Sequence, residues 1–408
     1  MRHKQFLPKR SSLIGAAVLL VYALVLAPAM GAQVTFTTLY SFDGRDGQGP
    51  ESSLIFDPAG NFYGTTNAGG IFGYGTVFEL TPNAGGWTET VLHNFYASDG
   101  RSPLAGLVLD GAGNLYGTTF FGGAYGYGTV FELSPQAGGH WTERVLHSFR
   151  ATDGYGPAGL IFDSAGNLYG TAAGGGLHDH GIVFMLKLGS GGKWSERILH
   201  NFAVNGIDGT DPSAPLNFDD AGNLYGTTTY GGTYGCGTVF VLSPKSTGDW
   251  AERIAHTFSG NKGKDGCYPA SGVVFDTTGN LYGTTYFGGL GQGYSAGVVF
   301  KLSPTANGDW NETVLHSFVG GEDGIGPSAG NLVLDIDGNI YGATFLGGGN
   351  LGGTVFELKL TSRGGWTEVV LYAFPDGSGP SAGLIFDSAG NLYGTASGGP
   401  GLVFKITP

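Results

Sequence analysis

GLVLDGAGNLYGTTFFGGAYGYGTVFELSPQAGGHWTERVLHSF, residues 106–149, is the stretch from which the fold is read. Four runs rich in Val, Leu, Phe, Tyr and Thr, at 106–110, 114–119, 129–133 and 141–149, are separated by Gly- and Pro-bearing breaks. Short runs of this composition with such punctuation are strands, here labelled A to D. Gly111-Ala112-Gly113 is a three-residue hairpin loop, and its last residue takes the left-handed conformation that Gly adopts without steric penalty. Asp110 is expected to accept a hydrogen bond from the backbone two residues on, as an Asx-turn.

The same text recurs. D-x-x-G-N-[LFI]-Y-G-[TA] starts at Asp57, Asp110, Asp163, Asp219, Asp276, Asp335 and Asp387, with spacings of 53, 53, 56, 57, 59 and 52 residues. Each copy is followed by G-x-V-F-x-[LI], centred on Phe78, Phe131, Phe184, Phe240, Phe300, Phe356 and Phe404. A third element, W-x-E-x-x-[LA]-[HY]-x-F, holds all six Trp: Trp87, Trp141, Trp194, Trp250, Trp310 and Trp366. Four-stranded units repeated at this period predict an all-β chain folded as a seven-bladed β-propeller. The last copy stops after its strand C, while VTFTTLYSF (34–42) aligns with the strand D text WTETVLHNF (87–95). The N-terminal strand is therefore expected to complete the last blade and close the ring; an open solenoid would need polar caps instead.

These three segments resemble the GloVer tandem repeat, found in proteins described as choice-of-anchor tandem repeat GloVer-containing proteins. The resemblance spans about residues 33–408 and implies a bacterial exported protein. Members carry one of several C-terminal surface-sorting tails. This sequence ends on a strand at Pro408 without an apolar tail, Cys or basic cluster, so free release is the expectation.

Composition agrees. Gly is 79 of 408 residues, which disfavours helices, because each interior Gly costs about 1 kcal/mol relative to Ala. Aromatic residues at 13% and charged residues at 12% argue against disorder, and no G-x-y period suggests collagen. Arg2, Lys4, Lys9 and Arg10, an apolar run at 13–27 and the small residues Ala27-Pro28-Ala29-Met30-Gly31-Ala32 read as a signal peptide over 1–32. Cleavage is expected after Ala29, with Ala32 the alternative. The run is short for a membrane span of about 20 residues, so the mature domain, 33–408, is expected to be secreted, extracellular or periplasmic, and free of the membrane. Without the leader the formal charge is −17, from 15 basic and 32 acidic residues. That charge repels phosphate backbones, so nucleic acid is not an expected partner.

Repetition separates fold from chemistry. Five His share one position (His93, His147, His200, His256 and His316), with Tyr40 and Tyr372 in the other two copies. They are read as structural hydrogen-bonding groups on the outer strands, and the W-x-E glutamates and the turn Asp as structural too, because catalysis needs one asymmetric constellation; the Trp are read as blade-to-blade packing. Cys236 and Cys267, the only cysteines, fall in loops expected on one face and are predicted to form a disulfide, as an oxidising compartment allows.

Asymmetry gathers in the B–C loops, which carry Phe72, Tyr74, Phe120, Phe121, Tyr125, Tyr127, Tyr230, Tyr234, Tyr286, Phe287, Tyr294 and Phe345, and in the Asp-Gly D–A loops of the same face. Loops on a rigid scaffold are where binding residues concentrate. Aromatic rings beside carboxylates suit sugars, so Tyr74, Tyr125, Tyr127 and Tyr234 are candidate ligand contacts; the competing reading tucks them between blades. Blade 3 breaks the pattern with His178-Asp179-His180, candidates for ligand binding; two His around an Asp also suit a metal or a general base, though H-x-H alone specifies neither. No cofactor, metal or catalytic residue is assigned. The expected function is a monomeric, non-enzymatic module binding a glycan or surface protein. The alternatives are a hydrolase or lyase at the channel mouth, drawing on His178, Asp179, His180, Asp211 and Glu322, and a structural cell-surface protein.

Overall fold

The computed structural model describes residues 34–260, 265–290, 296–327 and 330–408; the leader at 1–32 and Tyr294 lie outside them. Strands A to D of each repeat pair antiparallel in chain order, and no α-helix occurs among the described residues. In blade 2 they are Val108–Leu109, Leu115–Thr119, Thr129–Pro135 and Trp141–Ser148. Seven such sheets make the propeller. The turn chemistry is as read: Asp110 Oδ1 accepts from the Ala112 and Asn114 amides, Oδ2 accepts from Asn114 Nδ2 and the Tyr116 hydroxyl, and Gly113 has φ +86°.

Strand A is shorter than the five residues expected. Most blades keep only two; an X-Pro step precedes strand A, with X at φ near +60° in six blades, Ser102 and Asp211 among them. The chain there turns to the next blade: Thr65 Oγ1 donates to Pro103 O, Thr118 to Ala158 O, and Thr395 to Ser52 O across the seam. Blade 3 alone keeps a long strand A, Tyr155–Phe162, bulged between Pro157 and Leu160.

Packing repeats seven times. The Gly of each Tyr-Gly pair faces the strand C Phe; a Cβ on Gly117 would stand 2.6 Å from Phe131 Cζ. The ring that uses this space meets the strand D Phe of the preceding blade edge-on, as in Phe95–Phe131 at 5.1 Å between centroids. Equivalent pairs recur at every interface, Phe42–Phe78 and Phe374–Phe404 included. Each buried Phe contributes about 1.5–3 kcal/mol and each ring pair about 0.5–1.5 more. The Trp residues bridge blades as well, Trp141 lying against Tyr63 of the preceding blade.

The ring closes as read from the sequence. Thr35–Ser41 pairs antiparallel with Leu402–Thr407, so blade 7 takes its strand D from the N-terminal segment.

A polar girdle runs between the outer strands. Each His faces the Asp of the following D–A loop, for example His93 Nε2–Asp99 Oδ2 at 3.3 Å and His256 Nε2–Asp265 Oδ2 at 3.5 Å, and Tyr40 donates to Asp46 at 2.5 Å. The W-x-E glutamate of the next blade is set against the same group. Glu89, Glu143, Glu196, Glu252, Glu312 and Glu368 each bury Oε1 without a hydrogen-bond partner among the described residues. Desolvation, aided by the adjoining Asp, pushes these carboxyls up to about 7. The seventh interface swaps this chemistry for stacked rings: Phe36 stands at the Glu position and lies 3.9 Å from Tyr372, nearly parallel.

Cys236 and Cys267 are bonded, with Cα atoms 4.6 Å apart, tying the B–C loop of blade 4 to the D–A loop entering blade 5. The bond closes a loop of sequence separation 31, which by chain entropy contributes about 3–4 kcal/mol. The Cys236→Ser/Cys267→Ser protein is expected to unfold at correspondingly lower denaturant with an unchanged circular dichroism spectrum; an unmoved denaturant midpoint would contradict this.

Candidate functional site

Each B–C loop is hydrogen-bonded to the D–A loop entering its own blade. Gly123 N donates to Ala97 O, Gly176 N to Ala151 O and Gly232 N to Asp208 O. The two loop sets therefore form one face, on which Phe72, Tyr96, Phe121, Tyr125, Tyr127, Tyr230, Tyr234 and Phe345 are exposed and Tyr74, Phe120, Tyr286 and Phe287 half-buried.

Blade 3 interrupts this rim. After Thr-Thr, blades 2 and 5 carry the aromatic pairs Phe120-Phe121 and Tyr286-Phe287, whereas blade 3 has Ala173-Gly174. The missing bulk leaves a cleft of about 480 Å³ between the loops of blades 2, 3 and 4, walled by Phe120 on one side and Tyr230 on the other. The Tyr155 ring lies directly over Gly174, where any Cβ would collide with it. Tyr230 is braced by Tyr268, edge-on at 5.0 Å.

The polar groups come from two loops that hold each other. Asp211 N donates to His180 O at 3.1 Å, and Thr229 N donates to Asp211 O at 3.0 Å. Asp179 and Asp211 have φ of +61° and +59°. The position of Asp211 is filled by Gly49, Gly156 and Gly326 in blades 1, 3 and 6, all at φ near +60°. A side chain there is strained by roughly 1–2 kcal/mol, and Ser102 and Tyr268 of blades 2 and 5 bear the same strain at φ +54° and +60°. Burial raises the Asp211 carboxyl above the usual range, against a bond from Ser213 that lowers it. Burial also raises the Tyr155 hydroxyl, with further upward push from the charges of Asp179 and Asp211. Thr210 and Ser213 add hydroxyls to the wall. The cleft thus offers two aromatic faces, two carboxylates and hydroxyl donors within one small volume.

Of the residues nominated from sequence, Asp179 and His180 line the cleft, and Asp211 does too; His178 is exposed on the same loop and does not, and neither does Glu322, on the loop entering blade 6. Tyr127 stands beside the cleft, 6.2 Å from Tyr155. Tyr125 lies under the Arg150 guanidinium, 4.3 Å from the ring centroid, and its hydroxyl accepts from that group. Tyr74 is half-buried against the Phe95–Leu107–Leu115 cluster, and Tyr234 is exposed on blade 4 near the disulfide. Tyr155 escaped the sequence reading. Its signal was Gly174, its register partner, where no side chain stands in the way of a ring.

The sequence profile of the Gloeobacter/Verrucomicrobia repeat matches residues 25–161, 139–308 and 218–408. No curated protein matches the chain. Among solved structures, a gluconolactonase from Xanthomonas campestris aligns over 92% of this chain and 90% of its own at 14% identity, with a TM-score of 0.45. A candidate 6-phosphogluconolactonase from Bacteroides uniformis aligns over 79% and 85% at 12% identity, with a TM-score of 0.51. At such identity this likeness bears on the fold alone.

Proposed function

The chain belongs to the Gloeobacter/Verrucomicrobia repeat family, and we propose that it is an exported, non-enzymatic binding module that holds a sugar ring of a glycan in the cleft between blades 2, 3 and 4. The carrying observation is the pairing of apolar ring faces, Phe120 and Tyr230, with the carboxylates of Asp179 and Asp211 in about 480 Å³. A pyranose has apolar faces and hydroxylated edges, which suit rings, carboxylates and hydroxyls set side by side in one open cleft. The disulfide is compatible with an oxidising compartment.

Glycan-array screening followed by calorimetry tests this. Tyr230→Ala and Asp211→Asn are each expected to weaken the retained glycan about tenfold or more, equivalent to about 1.4 kcal/mol. Gly174→Val, which must displace Tyr155, is expected to abolish binding. Tyr230 and Asp211 lie at the surface of the cleft, so their variants should melt with the wild type. No glycan retained by the wild-type protein at millimolar concentration would sink the proposal.

One observation favours hydrolysis as a second reading. The Asp211 carboxyl, which burial raises and which lines the cleft, is a candidate proton donor. In that case the retained glycan is cleaved on incubation, and Asp211→Asn stops cleavage while leaving binding within a few-fold.

A further inference from the structure

We propose that the interface between blades 3 and 4 binds a zinc-type divalent cation through His200, Asp208 and Glu252, and that His316, Asp323 and Glu368 form a second such site between blades 5 and 6. In each trio the three ligand atoms lie within 4.8 Å of one another. His200 Nε2 stands 3.3 Å from Asp208 Oδ2 and 3.6 Å from Glu252 Oε1. Tetrahedral zinc with bonds of about 2.0–2.1 Å separates its ligand atoms by roughly 3.3–3.4 Å. The two separations from His200 already approach that spacing, and the donor set of imidazole and carboxylate is one that zinc accepts.

A second observation concerns Asp208 itself. Its side chain is only 5% exposed, and Oδ1 is buried without a hydrogen-bond partner among the described residues, as is Glu252 Oε1. Buried carboxylate oxygens without donors are costly, and a cation between them removes that cost. The loops that carry the facing Asp differ in length, nine residues on from His256 to Asp265 and seven from His316 to Asp323. Asp99 and Asp153 follow their His by six residues, whereas Asp208 follows His200 by eight. Asp208 is the most deeply buried of these Asp side chains: Asp99 and Asp153 are 22% and 24% exposed, and Asp265 and Asp323 11% and 17%. The repeated His therefore has a role beyond hydrogen bonding at these two interfaces. Each trio takes its His and Asp from one strand–loop junction and its Glu from the next blade, so the ion would clip neighbouring blades together.

The test is calorimetric titration of the chelator-treated full chain with zinc chloride at pH 7.5. Two equivalents are expected, with melting raised on binding. Glu252→Gln should remove one equivalent and Glu368→Gln the other. His178→Ala/His180→Ala, which removes the exposed H-x-H, should keep both. In chelator, both glutamine variants should melt with or above the wild type, which separates loss of a ligand from loss of the fold. Absence of binding at 100-fold excess zinc overturns the proposal. So does a stoichiometry untouched by the two Glu variants, or one abolished by the H-x-H variant.

Discussion

A chain beginning at Asp43 is expected to lose cooperative folding, and a peptide of residues 34–42 supplied in trans is expected to restore it. The segment is one strand in seven blades, yet it serves two cores. Val34 and Phe36 pack into the cluster between blades 6 and 7, around Phe374 and Phe404, and Leu39, Tyr40 and Phe42 into the cluster between blades 7 and 1, around Phe78 and Leu80. Phe42 is almost wholly buried, worth about 1.5–3 kcal/mol, and Phe36, Leu39 and Tyr40 add partial burial. Net ladder bonding to Leu402–Thr407 adds about 1 kcal/mol per bond. The sum is comparable to the whole stability of a typical domain, about 5–15 kcal/mol. The truncation also bares the strand C edge of blade 7, an invitation to aggregation. The expected result is loss of the thermal transition, recovered by the peptide through strand addition. A sharp transition within a few degrees of the full-length protein would show that closure contributes little.

Architecture was legible because each blade repeats the same decision. Phase, turn chemistry, ring closure and the cysteine pairing all followed from residues close in sequence or at a fixed period. Strand A was over-read: VLD and IFD look like strand text, yet in most blades only the two residues before the turn Asp pair with strand B, as Val108 and Leu109 do. The girdle was half legible. His and Tyr were recognised as interchangeable polar tips, but their Asp and Glu partners come from the next loop and the next blade, about fifty residues on. Only the closed ring brings them together. In the cleft, Asp179, His180 and Asp211 could be nominated because they break the repeat. The void beside them could not, since it is made by what blade 3 lacks at Ala173 and Gly174.

Acidity is expected to stabilise this protein, with melting higher at pH 5 than at pH 8 in the presence of chelator. The groups responsible are the six girdle glutamates, pushed up to about 7 chiefly by burial, of which Glu89, Glu143, Glu196 and Glu312 are the four to substitute. Asp46 and Asp43 face Glu89, Asp99 faces Glu143 and Asp153 faces Glu196, and each adds to the rise; His93 beside Glu143 and His256 beside Glu312 partly oppose it. An unfolded glutamate titrates near 4.5, so between about 4.5 and 7 the folded chain binds more protons than the unfolded one. Stability is then fully present below 4.5 and falls as pH rises through 7. At about 1.36 kcal/mol per unit, and discounting for partial exposure, each glutamate contributes on the order of 1–2 kcal/mol. His147 and His316, whose pKa values burial lowers, work the other way, favouring the fold as pH rises toward 6.5. Six glutamates outweigh two histidines. Below about pH 4 the trend reverses. The turn carboxylates of Asp57, Asp110, Asp163 and Asp387 are raised by burial but lowered further by the bonds they accept, and protonating them costs stability. The variant with those four glutamates changed to Gln mimics the protonated girdle. It should melt well above wild type at pH 8, close to it at pH 5, and lose most of the slope between them. If wild type melts as high at pH 8 as at pH 5, or the Gln variant keeps the wild-type slope, the buried glutamates do not carry the titration.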